Sequence, residues 1–263
     1  GIAHDAMGNI YVADTNNNRV QKFDSNGNFI CQWGVYGSAE GQFNHPRGIV
    51  VDKYGYVYVL DTNNNRVQKL DSTGKFLGII GGYGSGRGQF DHPQGIAVDS
   101  AGFLYIADTG NKRIQTFHIN GSVDRVWGSM GDGDGQFLNP VAVAVSSSGK
   151  VLVLDDVRSC VQVFDSSGAL LSSWSAAGSD YGQIKGAQGI CLDEEDNVFI
   201  ADTGNNRIEM FNPDGVFMAR WGAKGAANVQ FENPKGVTID NSGTIYVLDT
   251  GNNRIQKFKA RKW

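Results

Sequence analysis

Six aspartates recur along the chain at a constant spacing, at Asp14, Asp61, Asp108, Asp155, Asp202 and Asp249. The first copy reads DTNNNRV, and in all copies but the fourth an arginine follows five positions after the aspartate. A carboxylate and a guanidinium at this spacing can pair across a tight turn, because the planar fork of arginine matches the carboxylate oxygens. The alternative is a ring of polar groups that binds a ligand. The structural interpretation is favoured, since a turn device recurs in every copy; the predicted turn pairs are Asp14–Arg19, Asp61–Arg66, Asp108–Arg113, Asp202–Arg207 and Asp249–Arg254.

The fourth copy departs from this pattern. It reads DDVRSC, with Asp156 in place of threonine and Cys160 in place of arginine. Further departures lie near it in the sequence, at Val141, Ala142, Ile184 and Ala187. They indicate either neutral drift or a specialised contact surface in which Arg158 is released from a role in the turn. The second interpretation predicts that Arg158→Ala weakens partner binding with little loss of stability.

Histidines and paired aspartates are the candidate metal ligands. His45 and His92 share one position of the repeat, whereas His4 and His118 lie elsewhere. Because a zinc centre needs at least a third ligand and supporting groups, structural roles are favoured for all four. The loop GDGDG, with Asp132 and Asp134, could attract calcium, but two carboxylates are too few for a dedicated site. No metal or cofactor is predicted, and no nucleophile–base motif or phosphate-binding loop is recognised.

The elements that position these residues follow from the repeat. A unit of 47 residues indicates a solenoid or a propeller. In the second copy, four short apolar runs (GIVVD, YVYVLD, RVQKLD and KFLGIIG) are separated by turn sequences, which predicts four antiparallel strands. The second run is apolar at successive positions, so its strand must be covered on both faces. Propeller blades packed against their neighbours meet that requirement.

The motifs resemble those of NHL-repeat proteins. The segments PRGIVVDKYGYVYVLDTNNNRVQKL and PQGIAVDSAGFLYIADTGNKRIQTF, each followed by a glycine-rich loop ending in GQF, carry the likeness, and ADTGNNRI is closest in style to bacterial multi-repeat members. The resemblance implies an all-β, six-bladed β-propeller of four-stranded antiparallel blades. The family includes protein-binding and RNA-binding modules, sensor domains and a related peptide-amidating lyase, so the fold leaves function open.

The repeat arithmetic predicts one domain over residues 1–263 whose last blade lacks its outer strand. The closing strand is expected before Gly1 or after Trp263 in a longer protein, since Trp263 falls short of the tryptophan position of the repeat. Localisation is left open, with an extracytoplasmic bacterial setting slightly favoured. The expected blades cover approximately residues 1–47, 48–94, 95–141, 142–188, 189–235 and 236–263.

The glycine-rich loops after the fourth strands are the candidate recognition surface. They keep their length while their side chains vary, which is how loops on a rigid scaffold usually carry binding. Tyrosines among them are suitable interface anchors. The predicted binding residues on this face are Tyr36, Glu40, Arg47, Tyr83, Arg87, Asp132, Asp134, Arg158, Tyr181, Lys224 and Lys235.

These features favour a non-catalytic binding or scaffold platform for a protein, peptide or glycan. An RNA-binding NHL domain is the first alternative, but a net charge of −4 and mixed loop charges argue against it. A metal-dependent lyase of the peptide-amidating type is the second. No membrane-spanning run is found in the sequence, and the oligomeric state is left open.

Overall fold

A computed structural model describes residues 1–259. Within that range the chain is built from β-strands, turns and four single-turn 3₁₀ segments, Thr15–Asn17, Thr62–Asn64, Thr203–Asn205 and Thr250–Asn252. Each 3₁₀ segment is followed by an asparagine in the left-handed region, with φ between 50 and 56°. Asparagine tolerates this conformation, so the NNN and GNN sequences suit the turn. The chain divides into two compact units, residues 1–140 and residues from 141 onward.

The first unit holds three four-stranded sheets, joined in simple chain order. Their strands are β1 (Ile2–His4), β2 (Ile10–Asp14), β3 (Arg19–Phe23) and β4 (Phe29–Trp33); β5 (Pro46–Val51), β6 (Val57–Asp61), β7 (Arg66–Leu70) and β8 (Phe76–Ile80); and β9 (Gly95–Val98), β10 (Phe103–Asp108), β11 (Arg113–His118) and β12 (Val123–Trp127).

The second unit repeats the arrangement. Its strands are β13 (Pro140–Val145), β14 (Val151–Asp155), β15 (Cys160–Phe164) and β16 (Leu170–Trp174); the short pair β17 (Ala176–Ala177) and β18 (Gln183–Ile184); β19 (Gly189–Leu192), β20 (Val198–Asp202), β21 (Arg207–Phe211) and β22 (Phe217–Trp221); and β23 (Pro234–Ile239), β24 (Thr244–Asp249) and β25 (Arg254–Lys259).

The six sheets are the blades of a six-bladed β-propeller, so the predicted all-β class and blade count are confirmed. Neighbouring strands within each blade are antiparallel. The sixth blade, β23–β24–β25, has three strands among residues 1–259, also as predicted. Trp263, which entered the prediction about the closing strand, lies outside the described residues.

The second strand of each blade is largely buried. All five residues of β6, β14 and β20 are buried, because each of these strands is covered on both faces. First strands of successive blades lie side by side within the units, as with β5 and β9 in the first and β19 and β23 in the second. One apolar cluster in the first unit accordingly joins Tyr58 and Leu60 of β6 to Ile106 of β10. The blades therefore share their cores with their neighbours, which holds each loop end at a constant position.

Candidate functional site

Five loops that follow the fourth strands share one backbone frame. These top loops span residues 34–45, 81–92, 128–139, 175–186 and 222–233. In each of them a glycine N–H donates to the carbonyl six residues later, as from Gly84 to Phe90 at 2.9 Å. In each loop the side-chain oxygen of a glutamine also accepts a hydrogen bond from the backbone N–H three residues earlier, at 3.0 to 3.2 Å. The recurring GQF sequence is thus the clamp that holds each loop in the same shape.

The predicted turn pairs hold the same loops from the neighbouring blade. Arg66 Nε donates to Asp61 Oδ2 at 2.8 Å. Its Nη2 donates to the carbonyls of Ala39 and Gln42 in the preceding top loop, at 2.8 and 3.1 Å. The corresponding loop bonds recur at the next three pairs, made by Arg113, Arg207 and Arg254. These charged groups are engaged with their own hairpin and an adjoining loop, which favours the structural interpretation of the motif.

The aspartate of each such pair is the centre of a buried network. Asp61 is fully buried and accepts from the Asn44 N–H, from Asn64 Nδ2 and from Gln68 Nε2 as well as from Arg66. Asp14 in the first blade is different, because its side chain is 20% exposed and Arg19, which pairs with it at 2.8 Å, also donates from Nη1 to Gln32. The burial of the turn aspartate and the partners of its arginine therefore differ between blades.

A buried aromatic ring supports four of the top loops from below. Phe43, Phe90, Phe137 and Phe231 are all fully buried. A Cβ added to the glycine that opens each of these loops would lie 2.2 to 2.5 Å from the ring. These glycines also have positive φ values of 82 to 102°, so both space and backbone conformation require glycine.

The top loop of the fourth blade lacks both the opening glycine and the buried phenylalanine. Ser175, with φ 77°, stands where the other loops begin with glycine, and Ile184 replaces the phenylalanine. The smaller side chain leaves room for the serine Cβ, and Ser175 Oγ donates to the Gly182 carbonyl at 3.1 Å. Ile184, one of the departures that the sequence presented as drift or a contact surface, therefore has a packing explanation that involves Ser175, which the sequence analysis did not single out.

Asp156 and Gln188 form a second compensated pair. In four other blades a threonine at the position of Asp156 donates its hydroxyl to a proline carbonyl, at 2.6 to 2.9 Å. An ionised aspartate has no hydrogen to donate. Asp156 Oδ2 instead accepts a hydrogen bond from Gln188 Nε2 at 2.7 Å. A different hydrogen bond therefore joins this turn to the segment that begins the next blade.

The first pair yields a stability prediction. Ile184→Phe alone should lower the free energy of unfolding by about 1–3 kcal/mol, because the larger ring meets the Ser175 side chain. Adding Ser175→Gly should restore most of that loss, giving a coupling energy above about 0.5 kcal/mol in a double-mutant cycle. Urea unfolding of the four proteins measures the cycle, and strictly additive losses would refute the compensation.

The predicted binding residues are exposed on the top loops and adjoining strand ends, with one exception. Arg158 is half-buried, and its backbone N–H donates to Asp155. Arg47 reaches the same repeat position of the next blade, where its Nη1 donates to Gln94 Oε1 at 2.8 Å. Ten residues are exposed, namely Tyr36, Glu40, Arg47, Tyr83, Arg87, Asp132, Asp134, Tyr181, Lys224 and Lys235. Some of them still bond to the protein, since Arg87 Nη2 donates to the Asp124 carbonyl and Lys224 Nζ lies 3.6 Å from Glu232.

The sequence interpretation omitted two side chains of this face. Met130 is 75% exposed and occupies the repeat position of Tyr36 and Tyr83, a correspondence that the 47-residue register contains. Arg220 of β22 lies over Tyr181, with its guanidinium carbon 4.2 Å from the ring centroid. Neither the register nor the motif indicates that stacking, because the two residues come from different blades.

The Tyr181 ring is the centre of a small exposed cluster in the second unit. It is 71% exposed and packs at 5.3 Å from the ring of Phe217. Arg220 also donates to the Ser179 carbonyl in the same top loop, at 3.1 Å. Tyr181, Arg220 and Phe217 form what is called here the Tyr181 cluster, and the frame holds it in a fixed geometry.

The two top-face histidines are oriented by their preceding residues. His45 Nδ1 lies 3.0 Å from Asn44 Oδ1, and His92 Nδ1 lies 2.6 Å from Asp91 Oδ1. Both histidines have positive φ, at a position that asparagine or glycine occupies in the other loops. Over residues 1–259, no three His, Cys, Asp or Glu side chains come close enough together to hold a metal ion.

Sequence profiles identify the repeat unit. The profile described as the NHL repeat matches residues 1–23, 43–70, 90–117 and 231–258. The chain contains NHL repeats. The matched segments cover the turn pair and most of the first three strands in the first, second, third and sixth blades, and the fourth and fifth copies lie outside them.

A curated relative and several solved structures resemble this NHL chain. A stretch of 51 residues is 43% identical to the protein brain tumor of Drosophila melanogaster, which is 19% of this chain and 5% of that protein. This chain therefore corresponds to a small part of that relative's length. A Bacteroides thetaiotaomicron protein superposes with a TM-score of 0.76 at 18% identity, over 98% of this chain and 68% of the other. Virginiamycin B lyase from Staphylococcus aureus, solved with quinupristin, gives 0.69 at 13% identity, over 100% and 84%.

A gluconolactonase from Xanthomonas campestris gives a TM-score of 0.69 at 14% identity, over 94% of this NHL chain and 81% of the enzyme. At such identities the structural likeness shows the propeller fold alone. In the described part of the chain, none of the helical turns has the length and apolarity that crossing a bilayer requires.

Proposed function

We propose that this NHL propeller is a non-catalytic binding module that recognises a protein or peptide segment with the exposed tips of its top loops. The observation that carries the proposal is the contrast between frame and tip. Five loops share the same glycine and glutamine hydrogen bonds. At one tip position, however, they present tyrosine twice and then methionine, alanine and lysine. A constant frame with varied exposed side chains is the usual arrangement of a recognition surface.

The Tyr181 cluster is the part of this surface that best fits a peptide. Tyrosine and arginine are the residues that most often dominate the energy of protein interfaces. Here both side chains are positioned before binding, since Arg220 is stacked on the ring and bonded to the loop. Preorganisation lowers the entropy lost on association, so a short peptide can gain measurable affinity.

A selection from a phage-displayed peptide library on the immobilised protein tests the proposal. Selected peptides should bind the wild type, and Tyr181→Ala should raise their Kd at least about tenfold, because the central aromatic contact is lost. The midpoint of urea unfolding should stay within the experimental error of the wild type, since the side chain is 71% exposed. Isothermal calorimetry with a synthetic copy of one peptide provides the Kd.

Tyr83→Ala is the matched control. Tyr83 is 73% exposed on a top loop of the first unit and should leave the same Kd unchanged. Peptides that bind both variants as tightly as the wild type would refute the assignment to the Tyr181 cluster. Failure to enrich any peptide, together with salt-sensitive binding of single-stranded RNA, would replace the proposal with nucleic-acid recognition.

A further inference from the structure

One repeat carries a carboxylic acid where the others carry an amide. The residue seven positions after the turn aspartate is glutamine in five copies and Glu209 in the fifth copy; the glutamines are Gln21, Gln68, Gln115, Gln162 and Gln256. Glu209 lies in β21 and is fully buried. The function proposed above does not use this group.

The glutamines show what this position must do. Gln68 Oε1 accepts the N–H of Gly41 in the preceding top loop at 2.9 Å. Its Nε2 donates to the Gln42 carbonyl at 2.5 Å and to Asp61 Oδ2 at 3.0 Å. The donor half of this pattern, from Nε2 to a loop carbonyl and to the turn aspartate, recurs at Gln115 and Gln256. The side chain therefore joins the turn aspartate to the top loop and must donate hydrogen to two acceptors.

An ionised Glu209 cannot make those donations. A carboxylate only accepts hydrogen bonds, whereas a protonated carboxyl has one O–H to donate. In the structure neither Glu209 oxygen has a well-formed hydrogen bond. Arg207 Nη2 lies 2.7 Å from Oε1, but the guanidinium also serves Asp202 and the carbonyls of Ser179, Asp180 and Gln183. Only the protonated acid can make one of the two donations that the glutamine makes.

The surrounding charges act in both directions. Burial raises the pKa of Glu209 to about 7, with the Asp202 carboxylate of β20 adding to the increase. Arg207, Arg220 of β22 and the Gly182 N–H oppose it less strongly. Asp180 is the titratable carboxylate of the loop itself, and its side chain is exposed. Burial also raises the pKa of Asp202, so a second negative charge at this seam is disfavoured.

We propose that Glu209 is a proton-dependent latch that holds the 178–183 segment, and with it the Tyr181 cluster, in the binding geometry. As a regulation of the site assigned above, the inference rests on the proposed function for its biological consequence. In the protonated state the carboxyl donates its one hydrogen to the turn aspartate or to the loop carbonyl, the two acceptors that the glutamines of other blades serve together. In the ionised state it lacks that bond and repels Asp202, so the loop opens more often. Peptide binding should therefore be favoured by mild acid.

The direction of the pH dependence of loop opening follows from proton linkage. When the loop opens, Glu209 meets water and returns towards its ordinary pKa of about 4.5, while the closed state holds a proton up to about pH 7. Between these values the closed loop binds more protons than the open loop. The stabilisation of the closed loop by the Glu209 proton is therefore complete below about pH 4.5 and is lost as the pH rises. The opening constant of the loop increases by up to about tenfold per pH unit and becomes constant above about pH 7.

Amide hydrogen exchange without any ligand tests the latch. Protection factors of residues 178–183 are compared at pH 5, 6, 7 and 8 in the wild type and in Glu209→Gln, whose amide should fold as in the other blades. From pH 5 to 7 the wild-type protection should fall by roughly 40-fold relative to the variant, since the intrinsic exchange rates cancel in the ratio. Equal protection ratios at all four pH values would overturn the proposal.

Gln68→Glu provides the reciprocal experiment. This change should make residues 37–42, the segment of the preceding top loop that Gln68 contacts, sensitive to pH between about pH 5 and 7. Residues 178–183 should keep their wild-type behaviour. The exchange measurement also separates the two proposals. A pH-dependent loop without any selected peptide would contradict the binding function only, whereas peptide binding that depends on Tyr181 with a pH-independent loop would contradict the latch only.

Discussion

Asp61→Ala should lower the free energy of unfolding by about 3–5 kcal/mol. The carboxylate is fully buried and accepts four hydrogen bonds, from Arg66, Asn64, Gln68 and the Asn44 N–H. Its removal leaves the guanidinium of Arg66, whose side chain is 10% exposed, without its ionic partner. A buried charge that loses its partner costs far more than the pair itself contributes, and this explains the large expected loss. Urea unfolding followed by tryptophan fluorescence measures it.

Asp14→Ala is the matched control within the same chain. The same substitution there removes a carboxylate that is 20% exposed, and it leaves an arginine that is 30% exposed and also bonded to Gln32. Solvent can replace much of what is lost, so the expected cost is about 1 kcal/mol. Equal losses at the two positions would mean that the buried network around Asp61 does not strengthen the turn.

Phe90→Ala should be similarly damaging, at about 3–5 kcal/mol. The ring is fully buried, packs 5.4 Å from Phe117, and fills the space that the missing Cβ of Gly81 leaves open. Truncation leaves a cavity directly under the top loop that the Gly84–Phe90 hydrogen bond helps to hold in shape. The denaturant midpoint should fall, and amide exchange in residues 82–90 should accelerate.

Tyr83→Ala is the control for this prediction. Tyr83 pairs with Phe90 across the same loop through an isolated parallel bridge, yet its side chain is 73% exposed. The change should leave stability within about 0.5 kcal/mol of the wild type. A loss of several kcal/mol at Tyr83 would show that the tips belong to the frame.

The fold could be predicted because its information is periodic. The spacing of Asp14, Asp61 and their equivalents defines the blade, and the alternation of apolar runs with GNN and DSTG turns defines its strands. These signals are local, so they survive without any knowledge of the tertiary structure. The loop frame was visible in part, since the recurring glutamines and glycines share one register.

The contacts between blades could not be read in this way. Arg66 reaches carbonyls 24 and 27 residues earlier in the chain, and Arg220 stacks on a tyrosine 39 positions before it. Such partners depend on how adjacent sheets pack, which no spacing rule supplies. The fourth copy shows the same dependence on packing. Ser175 and Ile184 are separate anomalies in the sequence and become one compensated packing change only when the loop is folded.

Glu209 was available to sequence reasoning and was overlooked. Aligning the copies by their turn aspartates places it in a column of glutamines, and an acid in such a column is a visible exception. Its burial and the two acceptors around it required the structure. The position of the exception is predictable, whereas its chemistry is not.

The most direct test of the central claim is a crystal structure of the protein bound to a selected peptide. The claim is that the repeated Asp–Arg turns fasten the scaffold while recognition belongs to the loop tips. The complex should show the peptide on the Tyr181 cluster, with Arg207 still bonded to Asp202 and to the carbonyls of the 175–186 loop. A peptide held directly by the aspartate and arginine side chains of the repeated turns would contradict the claim.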